Sequence, residues 1–344
     1  MRQVILVITA VFILAGCFGN LNESRIAGDF TKREMTRIGE VSIEPETEFC
    51  REGLHVFSLS RNTNTLSRFL LGSQGGWTLE KRVTIPAGKG PGDAVQTSGM
   101  TLTPDGFLLV TDSDLNRLDL FDKDLRFRDA MALDQSGTLM EGEGMIAPLG
   151  AGRLALCQAN LQRRGYEMVL FHYGLPGETR GFGREVEIDL NRLETFTAAT
   201  GKIYSRGTVL FRLTYEPMLY VYNGTELIER IDPNLLLKPY GIRLAMPGAE
   251  SRRVNKKKKA SKGIPSYSLL QNGVNGTIAL VVKDLSRNRM LVLEFDHAGA
   301  VIRRWMITSD SIREEGLTSL FLYGDEYAAL SGPGSEFLEL FRLN

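Results

Sequence analysis

GMTLTPDGFLLVTDSDLNRLDLFDKDLRFRDAMAL, residues 99–133, decides the fold. GMTLT stops at a Pro-Asp-Gly turn, residues 104–106. FLLVTD, 107–112, is hydrophobic almost throughout. The polar loop SDLNR leads into RLDLFDK, 117–123, and LRFRDAMAL closes the unit. Runs this short, punctuated by Gly, Asp and Asn, suit strands and not helices. The second run has no polar face, so it is expected to be covered on both sides. The stretch therefore predicts a four-stranded antiparallel unit packed between two neighbours.

The same plan recurs. LHVFSL 54–59, FLLVTD 107–112, RLALCQ 153–158, TVLFRL 208–213, TIALVV 277–282 and EYAALS 326–331 each precede a partner run. The partners begin at residues 65, 117, 167, 218, 290 and 337, so the intervals are 52, 50, 51, 72 and 47 residues. Repetition at this period, with four strands per unit, predicts an all-β, six-bladed β-propeller over residues 33–344. The last unit reaches Asn344 with only three strands. REMTRIGEVSI, 33–43, is expected to supply the missing outer strand and so remove two open edges. The long interval marks an insertion at about 233–263, which carries seven cations: Arg252, Arg253, Lys256, Lys257, Lys258, Lys259 and Lys262.

AGKGPGDA, 87–94, looks at first like a phosphate-binding loop. Lys89 is followed by Gly90, not by Ser or Thr, and no helix follows to lend its dipole. Glycines and Pro91 here predict a rigid corner between two units. The same residues carry a family resemblance. GKGPGD, 88–93, followed by the inner strand, the Asp-Gly turn, the Asn-Arg pair and the strand ending in Phe-Asp, resembles the NHL-repeat-like six-bladed β-propeller lipoproteins of bacteria. Asp93 stands where that pattern has Glu, and Leu118 and Leu120 replace its Val and Ile. The resemblance implies a fold and a lipid anchor; it implies no particular activity.

The chain begins MRQVILVITAVFILAGC. Arg2 and the apolar run from Val4 to Leu14 read as a secretory signal, because the run is too short to span a bilayer. Leu14-Ala15-Gly16-Cys17 resembles a lipobox. A signal peptide over 1–16, lipidation at Cys17 and a polar tether over 17–32 are expected, with the membrane as partner through that lipid. Phe18 after the cysteine suits an outer-membrane lipoprotein by the same resemblance. Cys50 and Cys157 lie in strand-like apolar contexts that suit buried free thiols.

The chain has 41 basic and 41 acidic residues, so no global field attracts nucleic acid. His55, His172 and His297 fall on different strand types, and no metal is expected there. Asp112, Asp114 and Asn116 lack the remainder of a calcium loop and read as turn caps. No cofactor motif is present. The second-to-third-strand loops share one propeller face with the interblade corners. Arg61, Asp112, Arg117, Arg163, Arg164, Lys283 and Arg287 fall there, with Lys89. They are the candidate ligand contacts. The expectation is a binding or scaffold module for a protein or anionic glycan; the alternative is a propeller enzyme, a lyase or glycan hydrolase, at the channel mouth.

Overall fold

The computed structural model describes residues 29–44, 47–132, 137–139, 146–150, 152–160, 165–172, 183–189, 202–206, 209–213, 218–224, 226–244, 266–270, 277–284, 287–308, 319–323, 326–331 and 336–344. It is mostly β-sheet and propeller-like. In chain order the strands are β1 (Thr31–Ser42), β2 (Thr47–Glu52), β3 (His55–Ser60), β4 (Thr65–Leu71), β5 (Trp77–Thr84), β6 (Thr97–Leu102), β7 (Leu108–Asp112), β8 (Arg117–Phe121), β9 (Phe127–Ala132), β10 (Gly137–Leu139), β11 (Ile146–Pro148), β12 (Arg153–Asn160) and β13 (Gly165–His172). They continue with β14 (Gly183–Asp189), β15 (Lys202–Arg206), β16 (Val209–Leu213), β17 (Leu219–Asn223), β18 (Glu226–Ile231), β19 (Ser266–Leu270), β20 (Ile278–Asp284), β21 (Arg289–Phe295), β22 (Val301–Thr308), β23 (Ser319–Leu322), β24 (Tyr327–Ser331) and β25 (Phe337–Leu343).

Three sheets are four-stranded meanders, β2–β5, β6–β9 and β15–β18. In a fourth, β10 and β11 both pair with β12, followed by β13 and β14. The remaining sheet has eight strands, in the order β19-β20-β21-β22-β1-β25-β24-β23. The first strands lie side by side, β2 against β6, β6 against β11, β11 against β15 and β15 against β19.

Alternation along the middle strands explains their continuous hydrophobicity. On β7, Leu109 packs toward Leu154 and Leu156 of the next sheet, while Leu108 and Val110 pack toward Phe57 and Leu59 of the one before. On β20, Ile278, Leu280 and Val282 join a core with Leu219 and Val221, whereas Ala279 and Val281 face Leu322 and Leu330. With period two, a strand buried on both faces needs apolar residues at every position. The cores follow one another in a cycle. The last one packs Phe321, Tyr323 and Leu340 against Val56, Phe69 and Trp77, returning the end of the chain to its beginning. Outer strands alternate instead, as in β18, because one face meets solvent.

The junction is made by β1. It pairs antiparallel with β25 from Met35↔Leu343 to Ser42↔Phe337. Backbone bonds between Glu34 and Asn344, at 2.9 and 3.3 Å, tie the two ends together. The segment expected as the missing strand therefore occupies that place. Its first four residues do something the sequence did not announce: Thr31–Glu34 pair parallel with β22 and fuse two strand groups into one sheet. The turns before third strands share a device. Asn64, Asn116 and Asn288 all have φ near +48 to +49, a left-handed geometry that Asn tolerates better than most residues.

The start of the expected insertion is a core element. Pro233–Leu237 form a short helix, α1, whose first turn is capped by the Asp232 carboxylate accepting from Asn234 N at 2.8 Å. Leu236, Leu237, Ile242 and Leu244 pack with Leu280 and Leu291. Residues 245–263 lie outside the described residues. Cys50 is a buried free thiol; the side chain of Cys157 lies outside the described residues.

Candidate ligand-binding cleft

The glycine loop is a cation clamp. Arg117 opens β8 and is only 9% exposed. Its guanidinium donates to the carbonyls of Gly90 at 3.1 Å and Lys89 at 3.4 Å, and to that of Asp93. It also pairs with Asp119, at 2.8 and 3.0 Å. A phosphate loop presents N–H groups to an anion; this one presents carbonyls to a cation. Gly92 has φ +81°, and a Cβ there would stand 3.0 Å from the Phe127 ring. A Cβ on Gly88 would come within 2.5 Å of the Asp93 carboxylate. Asp93 in turn accepts from Gly90 N at 3.2 Å.

Asp119 is 1% exposed, and its carboxyl is pushed up to about 6. Burial is the main cause. Arg117 pulls the other way, and the Asp112 and Asp93 carboxylates add to the rise. Asp112 is wholly buried. Its oxygens accept from Val95 N at 2.8 Å and Leu115 N at 3.0 Å, so it fixes the turn into β8.

Beside this clamp, a cleft of about 390 Å³ opens between the β3–β4 turn and the segment entering β6. Arg61, Asn62, Asn64, Val95, Gln96, Thr97 and Ser98 line it. Its two walls are joined by Asn64, whose Oδ1 accepts from Thr97 N at 3.1 Å and Thr97 Oγ1 at 2.9 Å. Behind the wall, Ser98 Oγ bonds Thr111 Oγ1 at 2.9 Å. Arg61 Nε lies 3.8 Å from Glu48 Oε1, and the other Glu48 oxygen accepts from Met100 N at 3.2 Å. Fixed walls and a polar lining give the cleft a preorganised polar surface.

The sequence-predicted contacts divide sharply. Arg61 lines the cleft. Arg117 and Asp112 are both internal: one is bonded to the glycine corner, the other to Val95 N and the turn into β8. Lys283 is also buried, at 9% exposure. Arg287 is exposed in the turn before β21, 3.4 Å from Asp284. Arg163, Arg164, Cys17 and the cations of 252–262 lie outside the described residues. Burial of Arg117 and Lys283 thus leaves fewer of the candidate cations at the surface. Asn62, Asn64 and Gln96 were missed. Their signal was the run of uncharged polar residues in RNTN, 61–64, and VQTS, 95–98. His55 sits 3.5 Å from Glu80, and His297 lies in the turn before β22, so these two do not meet. The His172 side chain lies outside the described residues. Among the described residues, no group of three or more His, Cys, Asp and Glu side chains is placed to hold a metal ion.

No family model and no curated protein matches the chain. Solved structures do. A member of the DUF4221 family from Bacteroides vulgatus superposes with a TM-score of 0.50 at 12% identity, covering 92% of this chain and 99% of its own. The WD40 β-propeller domain of Doa1 gives 0.45 at 10% identity, with 89% and 96% covered. Virginiamycin B lyase from Staphylococcus aureus gives 0.43 at 11%, with 89% and 99% covered. At such identities the likeness concerns fold alone. No helix among the described residues is long and apolar enough to cross a membrane.

Proposed function

We propose that the chain is a six-bladed β-propeller, anchored through a lipid on Cys17 in a bacterial cell envelope, that acts as a binding or scaffold module through its loop face. The blade count is supported by the cycle of cores and by the eight-stranded sheet, which divides at β1 into two strand groups. The lipobox-like residues support the anchor, and Phe18 supports an outer-membrane location. The ligand is a glycan or a protein.

The observation that carries the binding role is the polar cleft between Arg61–Asn64 and Val95–Ser98. Its walls are bonded to each other before any ligand arrives, and its described lining residues carry amides, hydroxyls and one guanidinium, with Val95 the apolar exception. Fixed polar groups around a concavity give orientation and specificity. The opposite face holds a second hollow, at Asp105–Phe107 and Asp122–Asp124, whose charges are internally paired: Lys123 with Glu52, Arg68 with Asp124 and Arg128 with Asp122.

The test is capture of envelope components on the full chain in detergent. A Gln96→Trp variant fills the cleft, and a Lys123→Glu variant alters the opposite hollow. Capture abolished by the first and kept by the second is expected. Equal loss in both, or none in the first, overturns the loop-face reading. Radiolabelled palmitate incorporated by wild type and absent from Cys17→Ser tests the anchor.

A further inference from the structure

We infer that the cleft takes an uncharged, hydroxyl-rich ligand, the end of a neutral oligosaccharide, and not an anion. This rests on the reading that the loop face binds ligands, and it narrows that reading.

The charges decide the matter. Arg61 is the one cation among the described lining residues, and Glu48 stands behind it, 3.8 Å from Nε. Asp112 lies beneath the wall, bonded to Val95 N. In the neighbouring corner the cation Arg117 is spent on Asp119 and on the loop carbonyls. Lys89 is exposed, and Asp93 lies in the same loop, accepting from Gly90 N at 3.2 Å. Among the described residues, Arg61, Lys89 and Arg117 are thus matched by Glu48, Asp93, Asp112 and Asp119, so the local charge carries no cationic excess. An anionic sugar or phosphate entering here gains one guanidinium and meets carboxylates that already attract it.

The hydrogen-bonding groups fit hydroxyls. Both bonds that Asn64 Oδ1 accepts come from Thr97, and its NH₂ carries two further donors. Arg61 adds donors. Asn62 and Gln96 are exposed amides, each a donor and an acceptor at once. A sugar hydroxyl is likewise both, so adjacent hydroxyls can answer an amide pairwise. A carboxylate only accepts and leaves the amide oxygens without partners, at a cost. Val95 is the only apolar residue among the described lining residues, so an aliphatic or aromatic side chain of a peptide finds no matching wall. The volume, about 390 Å³, sits at the small end of the range of roughly 300–1,000 Å³ for ligand pockets, the size for a chain end and not for a long buried segment.

The experiment is titration calorimetry on the full chain in a non-sugar detergent. The probes are xylo-, cello-, malto- and manno-oligosaccharides, oligogalacturonides of equal length, and a sugar phosphate. At least one neutral series is expected to bind, with a Kd that changes less than about twofold from low to high salt. The acidic probes should bind at least about tenfold more weakly. Gln96→Ala and Asn62→Ala should each weaken binding about fivefold, the scale of one net hydrogen bond, with unchanged melting curves. Acidic probes binding as tightly as neutral ones, affinity that falls steeply with salt, or no binding across the neutral panel would each overturn the inference. In those cases cleft-dependent capture of another component leaves the wider binding role standing; capture insensitive to Gln96→Trp removes both.

Discussion

Replacing Arg117 by Leu should destabilise the protein in a strongly pH-dependent way. The variant removes a buried guanidinium that serves two partners. The loop carbonyls of Lys89, Gly90 and Asp93 lie at an exposed corner and can turn to water, so their loss costs about 1–2 kcal/mol. Asp119 cannot do so at 1% exposure. Breaking a buried pair by removing one partner costs about 3–5 kcal/mol. That larger cost applies only while Asp119 is ionised. Its carboxyl is raised from 3.8 to about 6 in the folded protein. A raised folded value favours the protonated form, so this group's stabilisation is complete below about pH 4 and is lost as pH climbs through 6. For the wild type the loss is on the order of 3 kcal/mol, at about 1.4 kcal/mol per pH unit. Arg117 holds the value down; without it the carboxyl rises further, and the decline continues above pH 6. The difference between wild type and Arg117→Leu should therefore be about 1–2 kcal/mol at pH 5 and about 3–5 kcal/mol at pH 8. Urea unfolding at both pH values, followed by fluorescence of the buried Trp77 and Trp305, measures it. A loss equal at the two pH values, or below about 1 kcal/mol at pH 8, refutes the clamp. Adding Asp119→Leu should remove most of the variant's pH dependence.

Gly92→Ala must hold a Cβ at φ +81° against Phe127, and should lose about 1–3 kcal/mol in the same unfolding assay. Deleting residues 29–42 removes four paired positions beside β22 and seven beside β25. It should cost on the order of 5 kcal/mol at about 0.5 kcal/mol per position, and limited proteolysis should then cut first near β25; an unchanged cleavage pattern argues against β1 as the closing strand. Cys50 is buried, and that burial, helped by the Glu48 and Glu52 carboxylates, pushes its thiol up. In a Cys17→Ser/Cys157→Ser background it should resist maleimide under native conditions and react only on unfolding.

The strand plan was legible because it follows from one local rule. A strand covered on both faces must be apolar at every position, as LLVTD and IALVVKD nearly are, and a strand with one wet face must alternate. Of the turn asparagines, Asn116 was legible as a cap; Asn64 and Asn288 hold the same place immediately before a third strand, in a backbone that disfavours most residues. The parallel pairing of Thr31–Glu34 was not legible. Parallel partners in different strand groups leave no local signature, and the residues concerned are exposed or half-buried on β1. Helix α1 was hidden because its apolar residues, read as loop, find their partners on β20 and β21, far along the chain.

The site was harder to read, and Arg117 shows why. A charged residue in a loop-proximal position satisfies a surface reading and a buried one equally well until the partner is known. One clue lay in the strand itself. Arg117 and Asp119 are two apart, so they share a face of β8, and that strand is otherwise wholly apolar. Two opposite charges on one face of a strand expected to be buried on both sides must neutralise each other there or leave the core. By that rule Arg117 belonged with Asp119 from the start, and the glycine loop, whose carbonyls complete the guanidinium's bonds, followed from it. Arg61 has no such partner on its own strand face. It stands in a turn, its ion-pair carboxylate comes from the neighbouring strand at 3.8 Å, and it is the cation that the described cleft lining retains.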